Sequence, residues 1–134
     1  MSSDLLSFAA ARKQSRASLL GTWLDGGTLE IYATPRPATS DDVPGAAALL
    51  AVFEFDDPAG SATDGVWSAD PLPDPALVLV NGDAVWGRFI GATAGTIADA
   101  AAGIEGSGEA IELVAVSLVA GGTVAMSACS ITEG

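Results

Sequence analysis

The residues best equipped for chemistry in this chain are carboxylates. The stretch "EFDDPAGSATDG" gathers Glu54, Asp56, Asp57 and Asp64 around one loop, and calcium takes hard oxygen ligands of this kind. The spacing does not follow D-x-[DN]-x-[DN]-G, and proline and alanine stand where ligands are needed, so solvated turn carboxylates are the expected state. A glycosidase pair needs two acids across a cleft, and an acid-rich body supplies many accidental pairs. Histidine is absent, which removes the commonest general base, the usual serine and cysteine triads, and most zinc and iron sites. The chain is therefore expected not to be an enzyme and to carry no catalytic residue, cofactor or metal.

The remaining chemical candidates each have a structural reading. Cys129 lies in the alternating run "VAMSACSIT", the usual setting of a small core residue, and a lone thiol fits a reducing compartment. The close glycines of "GATAGT" and "VAGGTV" lack the lysine of a P-loop and the strand, turn and long helix of a dinucleotide fold, so they read as turns. Trp23, Trp67, Trp86 and Tyr32 offer either a sugar-stacking platform or core packing, and their strand-like positions favour the core. Arg88 shares a strand face with Trp86, which predicts a guanidinium packed beside an indole in a structural role. "ARKQSR" supplies Arg12, Lys13 and Arg16, either as a solvated helix face or as a surface that docks on an acidic partner or a neighbouring copy.

Charge narrows the partners. The chain has 17 acidic and 5 basic residues, net -12, and Arg12, Lys13 and Arg16 are concentrated near its start with Asp4. A body so negative repels phosphate backbones, which argues against nucleic-acid binding. No window approaches the roughly twenty apolar residues of a membrane span, and the first residues hold no apolar stretch of signal-peptide length. The chain is expected neither to enter a membrane nor to be exported by a classical signal. Its 134 residues are one domain's worth, enough to bury roughly two-thirds of the unfolded surface on an ordinary core.

The elements that must position these residues follow from periodicity. Residues 3–24 read as a helix, capped by Ser2 or Ser3, with Leu5, Phe8, Leu19, Leu20, Trp23 and Leu24 at roughly helical spacing and Gly21 as a break point. Asp25-Gly26-Gly27 ends it, so residues 1–25 form a helical segment ahead of a single β domain, 26–134. In "TLEIYA" the period becomes two, with Leu29, Ile31 and Ala33 on one face and Thr28, Glu30 and Tyr32 on the other; Pro35 and Pro37 close the strand.

"LLAVFEFD" reads as a strand with Ala51, Phe53 and Phe55 on one face and Leu50, Val52 and Glu54 on the other. A long loop and a short strand "VWSA" follow. "ALVLV", Asn81-Gly82 and "AVWGRFI" read as a hairpin, because Asn-Gly accepts the positive φ of a tight turn. Residues 91–108 read as a weak strand near Thr96 to Ala98 or a mobile loop. "AIELVAVSLV" and "TVAMSACSIT" read as a second hairpin around Ala120-Gly121-Gly122. The sum is a mainly β chain, an antiparallel sandwich or barrel of roughly seven to eight short strands with one N-terminal helix.

Laid in order, the helix, "GGTLEIYATPRP", "LLAVFEF", "AVWGRFI" and "AGGTVAMSACSIT" resemble a family of small virion proteins of tailed phages and prophages. The resemblance spans residues from about 10 to 134, with Gly26, Gly27, Leu29, Ile31, Tyr32, Pro35, Trp86 and Arg88 matching as framework positions. Ala33-Thr34 departs from the glycine found before the proline segment in many relatives. The resemblance implies a capsid decoration or cement protein on the outer surface of the phage head, made in the host cytoplasm. Its implied partners are the major capsid protein and neighbouring copies of itself, as a trimer or dimer. The alternative is a tail or baseplate module whose aromatics bind a host glycan.

Overall fold

The computed structural model describes residues 18–19, 21–36, 47–57, 59–63, 66–70, 72–93 and 95–132. Within them the strands are β1 (Thr28–Tyr32), β2 (Leu49–Glu54), β3 (Gly60–Thr63), β4 (Val66–Ala69), β5 (Ala76–Leu77) and β6 (Gly82–Asp83), then β7 (Trp86–Gly91), β8 (Gly95–Ile104), β9 (Ile111–Leu113), β10 (Ser117–Leu118), β11 (Thr123–Val124) and β12 (Met126–Thr132). The fold is mainly β with a short helical segment. Eight strands form one sheet in the order β2-β1-β7-β8-β9-β12-β4-β3.

That sheet is curled around its core. Phe55, just past β2, meets Trp67 of β4 edge to face at 5.8 Å, although β2 and β4 lie near opposite ends of the strand order. Phe55 also stacks on Phe89 of β7 at 6.2 Å. Leu24, Leu29, Trp67, Phe89 and Ile111 are fully buried there. Gly87 shows how tightly the inner face closes: a Cβ on it would lie 2.7 Å from the Ile111 side chain.

The helical segment enters at a corner built by the glycine pair. Residues 21–24 are helical, and Asp25 N–H donates to Gly21 C=O at 3.0 Å. Gly26 then takes φ +70°, the left-handed conformation that only glycine adopts at little cost. Gly27 is needed for a different reason, because a Cβ there would lie 2.4 Å from the Ile90 carbonyl oxygen. The corner is tied down by Ala59 N–H donating to Asp25 Oδ1 at 2.7 Å and by the burial of Leu24. The helical reading of 3–24 is met at 18–19 and 21–24; its other positions lie outside the described residues.

Strand β1 has the expected alternation, and β2 departs from it at one residue. Between Ile31 and Tyr32 the register shifts, so that Ile31 pairs with Ala51 and Tyr32 with Leu49. Leu50 is the residue left over at this bulge, and it turns into the core, fully buried, instead of sharing the outer face with Val52 and Glu54. Part of the long loop after β2 is also strand, since β3 pairs with β4 as a hairpin.

The alanine- and glycine-rich stretch is not a loop. The weak strand expected near Thr96 to Ala98 is part of β8, the longest described strand at 10 residues, whose residues 95–101 pair with β7. Small residues carry little periodic signal, so the partner strand fixes the conformation. Strand β8 then runs parallel to β9, with Ala102 beside Ile111 and Ile104 beside Leu113, the exception in an otherwise antiparallel sheet. Residues 105–110 make this return far more tightly than an ordinary crossover. Glu112 clasps the turn, its two carboxylate oxygens accepting from Gly106 N–H at 3.0 Å and Gly108 N–H at 3.1 Å.

The Asn81-Gly82 hairpin is absent. Gly82 does not take the positive φ of that turn, and the two apolar runs separate to pair with the C-terminal third. Ala76 and Leu77 face Val124 and Thr123, Val78 N–H donates to Gly122 C=O, and Gly82 and Asp83 face Leu118 and Ser117. Ala84 N–H donates to Val116 C=O. Residues 76–84 and 116–124 thus form one antiparallel ribbon in a single register, interrupted midway, where Asn81 Oδ1 accepts from Ala120 N–H at 2.8 Å. The second expected hairpin survives at its base, where β9 pairs with β12, while its outer arms are drawn into the ribbon. In this arrangement Ala76, Val78, Ala84, Leu118 and Val124 are buried.

Candidate functional site: a closed polar face and an open apolar ribbon

The outer face of β1, β7 and β8 collects the residues with the strongest chemical character. Cross-strand register sets Glu30 opposite Arg88 and Tyr32 opposite Trp86, and Arg88 opposite Asp99. Arg88 donates from Nε to Asp99 Oδ1 at 2.7 Å and from Nη2 to Oδ2 at 3.0 Å, a bidentate pair. Their side chains are 6% and 5% exposed. The guanidinium carbon sits 5.5 Å from the centre of the Trp86 ring, and Trp86 stacks on Tyr32 at 4.6 Å with planes 14° apart. Trp86 Nε1 donates to Ala33 C=O at 2.8 Å, and the Tyr32 hydroxyl donates to Glu30 Oε1 at 2.8 Å. Arg36 reaches in from solvent to the Asp99 carbonyl at 3.2 Å.

This cluster is closed to chemistry by its own bonds. Burial, aided by the hydrogen bond to Glu30, pushes the Tyr32 hydroxyl up to about 12, so it holds its proton at any physiological pH. The hydrogen bond from Arg88 to Asp99, which outweighs the opposing effect of burial, raises the guanidinium above its ordinary value. Each strongly polar group therefore already has an internal partner, and the arrangement serves as a cross-strand clamp. The outer face of β1 is covered at this end: Tyr32, Ala47 and Trp86 form a small second core.

The other sequence candidates separate from this cluster. Gly26 and Gly27 lie at the corner described above. Pro35 is exposed beyond the end of β1, and its bond to Thr34 is cis. Arg12, Lys13 and Arg16 lie outside the described residues. Glu54 and Asp56 open onto a cleft of about 320 Å³ with Asp74; among the described residues no three histidine, cysteine or acidic side chains are grouped to hold a metal, and Asp64 lies outside them. Cys129 is buried, and burial pushes its thiol up to about 12.

The sugar-stacking platform is not formed. Trp67 and Trp86 are 0% exposed and Tyr32 is buried, leaving Trp23 half-exposed by itself. The Trp67 Nε1 has no hydrogen-bond partner and is sealed by Gly21, where a Cβ would lie 2.9 Å from it. Sequence reading missed Asp99 and Glu30. The available signal was a lone acid in a small-residue run, "TIADAAAG", able to answer the lone arginine of "WGRFI".

The ribbon presents the opposite surface. Ala76, Val78, Ala84, Leu118 and Val124 point inward and are buried, while Leu77, Leu79, Val80 and Val119 are 57%, 48%, 42% and 66% exposed. No charged side chain occurs between Glu112 and Glu133, and residues 76–85 contain Asp83 alone. Comparison with protein-family models, curated proteins and solved structures finds no match to this chain.

Proposed function

We propose that this chain is a structural component of a tailed-phage particle, a head decoration or cement protein that lies on the major capsid protein. The observation that carries this reading is the division of its side chains. The residues on which the resemblance rests, Tyr32, Trp86 and Arg88 above all, are locked together inside the fold, and a ribbon whose one charged residue is Asp83 leaves Leu77, Leu79, Val80 and Val119 facing outward. Such a module binds and holds; it performs no reaction. A shell protein needs modest contacts per copy, since symmetry and effective concentration multiply them.

In this reading the protein is made in the host cytoplasm and joins the outer surface of the head. Its acidic body keeps it soluble before assembly and away from nucleic acid. Arg12, Lys13 and Arg16 are the positions proposed to meet the capsid, and neighbouring copies complete a dimer or trimer. Deleting the coding sequence tests the role: heads lacking the protein are expected to lose DNA on heating at temperatures that intact heads survive. Heads of unchanged composition and heat resistance after deletion overturn it.

A further inference from the structure

We propose that Asn81 is a site of spontaneous covalent modification, where the side chain cyclises on the backbone of Gly82 and hydrolyses to aspartyl and isoaspartyl forms when the 76–84/116–124 ribbon opens. The site goes beyond the virion reading and does not depend on it. Asn81 is the single asparagine of the chain, and Gly82 follows it. Glycine has no Cβ to obstruct an approach to its backbone nitrogen. Asn81 is also exposed, so water reaches it.

The reaction needs no co-reactant but water. The Gly82 backbone nitrogen attacks Asn81 Cγ, and the new C–N bond closes a succinimide. The proton of that nitrogen passes to the departing amide, the Cγ–Nδ2 bond breaks, and ammonia leaves. Water then opens the ring at either of its carbonyls. Opening at Cγ gives aspartate, whereas opening at the backbone carbonyl gives isoaspartate, in which the chain runs through Cβ and Cγ. Nothing is oxidised or reduced.

Folded, the ribbon withholds the attacking nitrogen. Gly82 pairs with Leu118 and Asp83 with Ser117, and Ala84 N–H donates to Val116 C=O at 2.8 Å, so the backbone beyond Asn81 is held in a ladder. Ahead of it, Val78 N–H donates to Gly122 C=O and Gly121 N–H donates to Val78 C=O. Between these two tied points, Ala120 N–H pins Asn81 Oδ1 from the opposite strand at 2.8 Å. That bond polarises the Cγ carbonyl, yet the ring cannot close while Gly82 is kept in the ladder. Local opening of the ribbon releases both groups together.

The two products affect the ribbon in opposite ways. Aspartate keeps an oxygen for Ala120 N–H and makes that bond charge-assisted. Isoaspartate lengthens the backbone between Val78 and Gly82, so the two tied points no longer fit one register. The aspartyl chain should therefore keep the thermal midpoint of the parent, and the isoaspartyl chain should melt lower.

Peptide mapping by liquid chromatography and mass spectrometry separates the asparaginyl, aspartyl and isoaspartyl forms of the peptide carrying residue 81. The full chain is followed over time in mildly alkaline buffer, folded and in guanidinium chloride. The expected result is conversion to both products in denaturant, slower by about tenfold or more in the folded chain. Leu118, 5% exposed, packs beneath the ribbon, so Leu118→Ala should speed conversion in a chain that circular dichroism shows to be folded. Asn81→Gln, whose longer side chain closes a larger ring, should stay intact at position 81 under both conditions. An Asn81 that survives in denaturant overturns the proposal, as does conversion in the folded parent as fast as in denaturant or faster. Those parent measurements decide the matter even if Leu118→Ala fails to fold, and neither bears on binding to heads.

Discussion

The Arg88 face and the ribbon face place residue types where ordinary expectation does not. On the first, an arginine, an aspartate, a tyrosine and a tryptophan are taken out of water, and each is satisfied by another. On the second, leucines and valines are left in water. Burying a charge pair is tolerable only when geometry is good and the remaining donors are met, and leaving apolar groups exposed is tolerable only when few lie together. The first face meets its condition and is complete. The second leaves Leu77, Leu79, Val80 and Val119 exposed with no internal partner for their apolar surface. The residue types with the strongest chemical character thus tie three strands of the sheet together.

Breaking the first face should have the largest effect. Arg88→Met strands Asp99, which is 5% exposed, and should cost about 3–5 kcal/mol in urea unfolding, whereas Arg88→Met with Asp99→Leu should recover most of the loss. A single variant within about 1 kcal/mol of the parent would mean that the pair is effectively solvated and the face is open. Gly27→Ala drives a Cβ to 2.4 Å from the Ile90 carbonyl oxygen and should cost about 1–3 kcal/mol through backbone displacement; a neutral result in the same titration would show that the corner has slack.

The alkaline limb sharpens the comparison further. Tyr32 is raised from 10.0 to about 12, so the folded state holds the proton more tightly than the unfolded chain. That stabilisation is complete below about pH 10, where both states are protonated, and is lost as pH rises through about 12. Cys129, raised from 9.0 to about 12, acts in the same direction. Tyr32→Phe should flatten the decline above pH 10 while costing about 1 kcal/mol at neutrality, and an unchanged decline would place the tyrosine in contact with water. The smallest effect belongs to the ribbon: Leu77→Asp and Val119→Asp should alter monomer stability by no more than about 0.5 kcal/mol. A larger loss would show that the outward face belongs to the core.

How much of this was readable depended on whether the deciding contact was local. The helix-to-strand corner was legible in Asp25-Gly26-Gly27, since one glycine is required by its φ and the next by a close approach that the chain itself creates. The pairing of Trp86 with Arg88 was legible from their i, i+2 spacing on a strand. Leu50 was assigned to the wrong face because a bulge is set by the partner strand. Strand β8 was nearly invisible because alanine and glycine carry no alternation, and Asp99, which completes the clamp, was hidden with it. The Asn81-Gly82 signal misled for the same reason in reverse: a good local turn gave way to long-range pairing of residues 76–84 with 116–124.

The central claim is that this protein holds a particle together. Quantitative mass spectrometry of purified, DNA-filled heads, separated from tails, tests it most directly by counting copies of this chain per major capsid subunit. The account predicts a fixed stoichiometric ratio on heads. Absence from heads, or a few copies confined to tails, would contradict it.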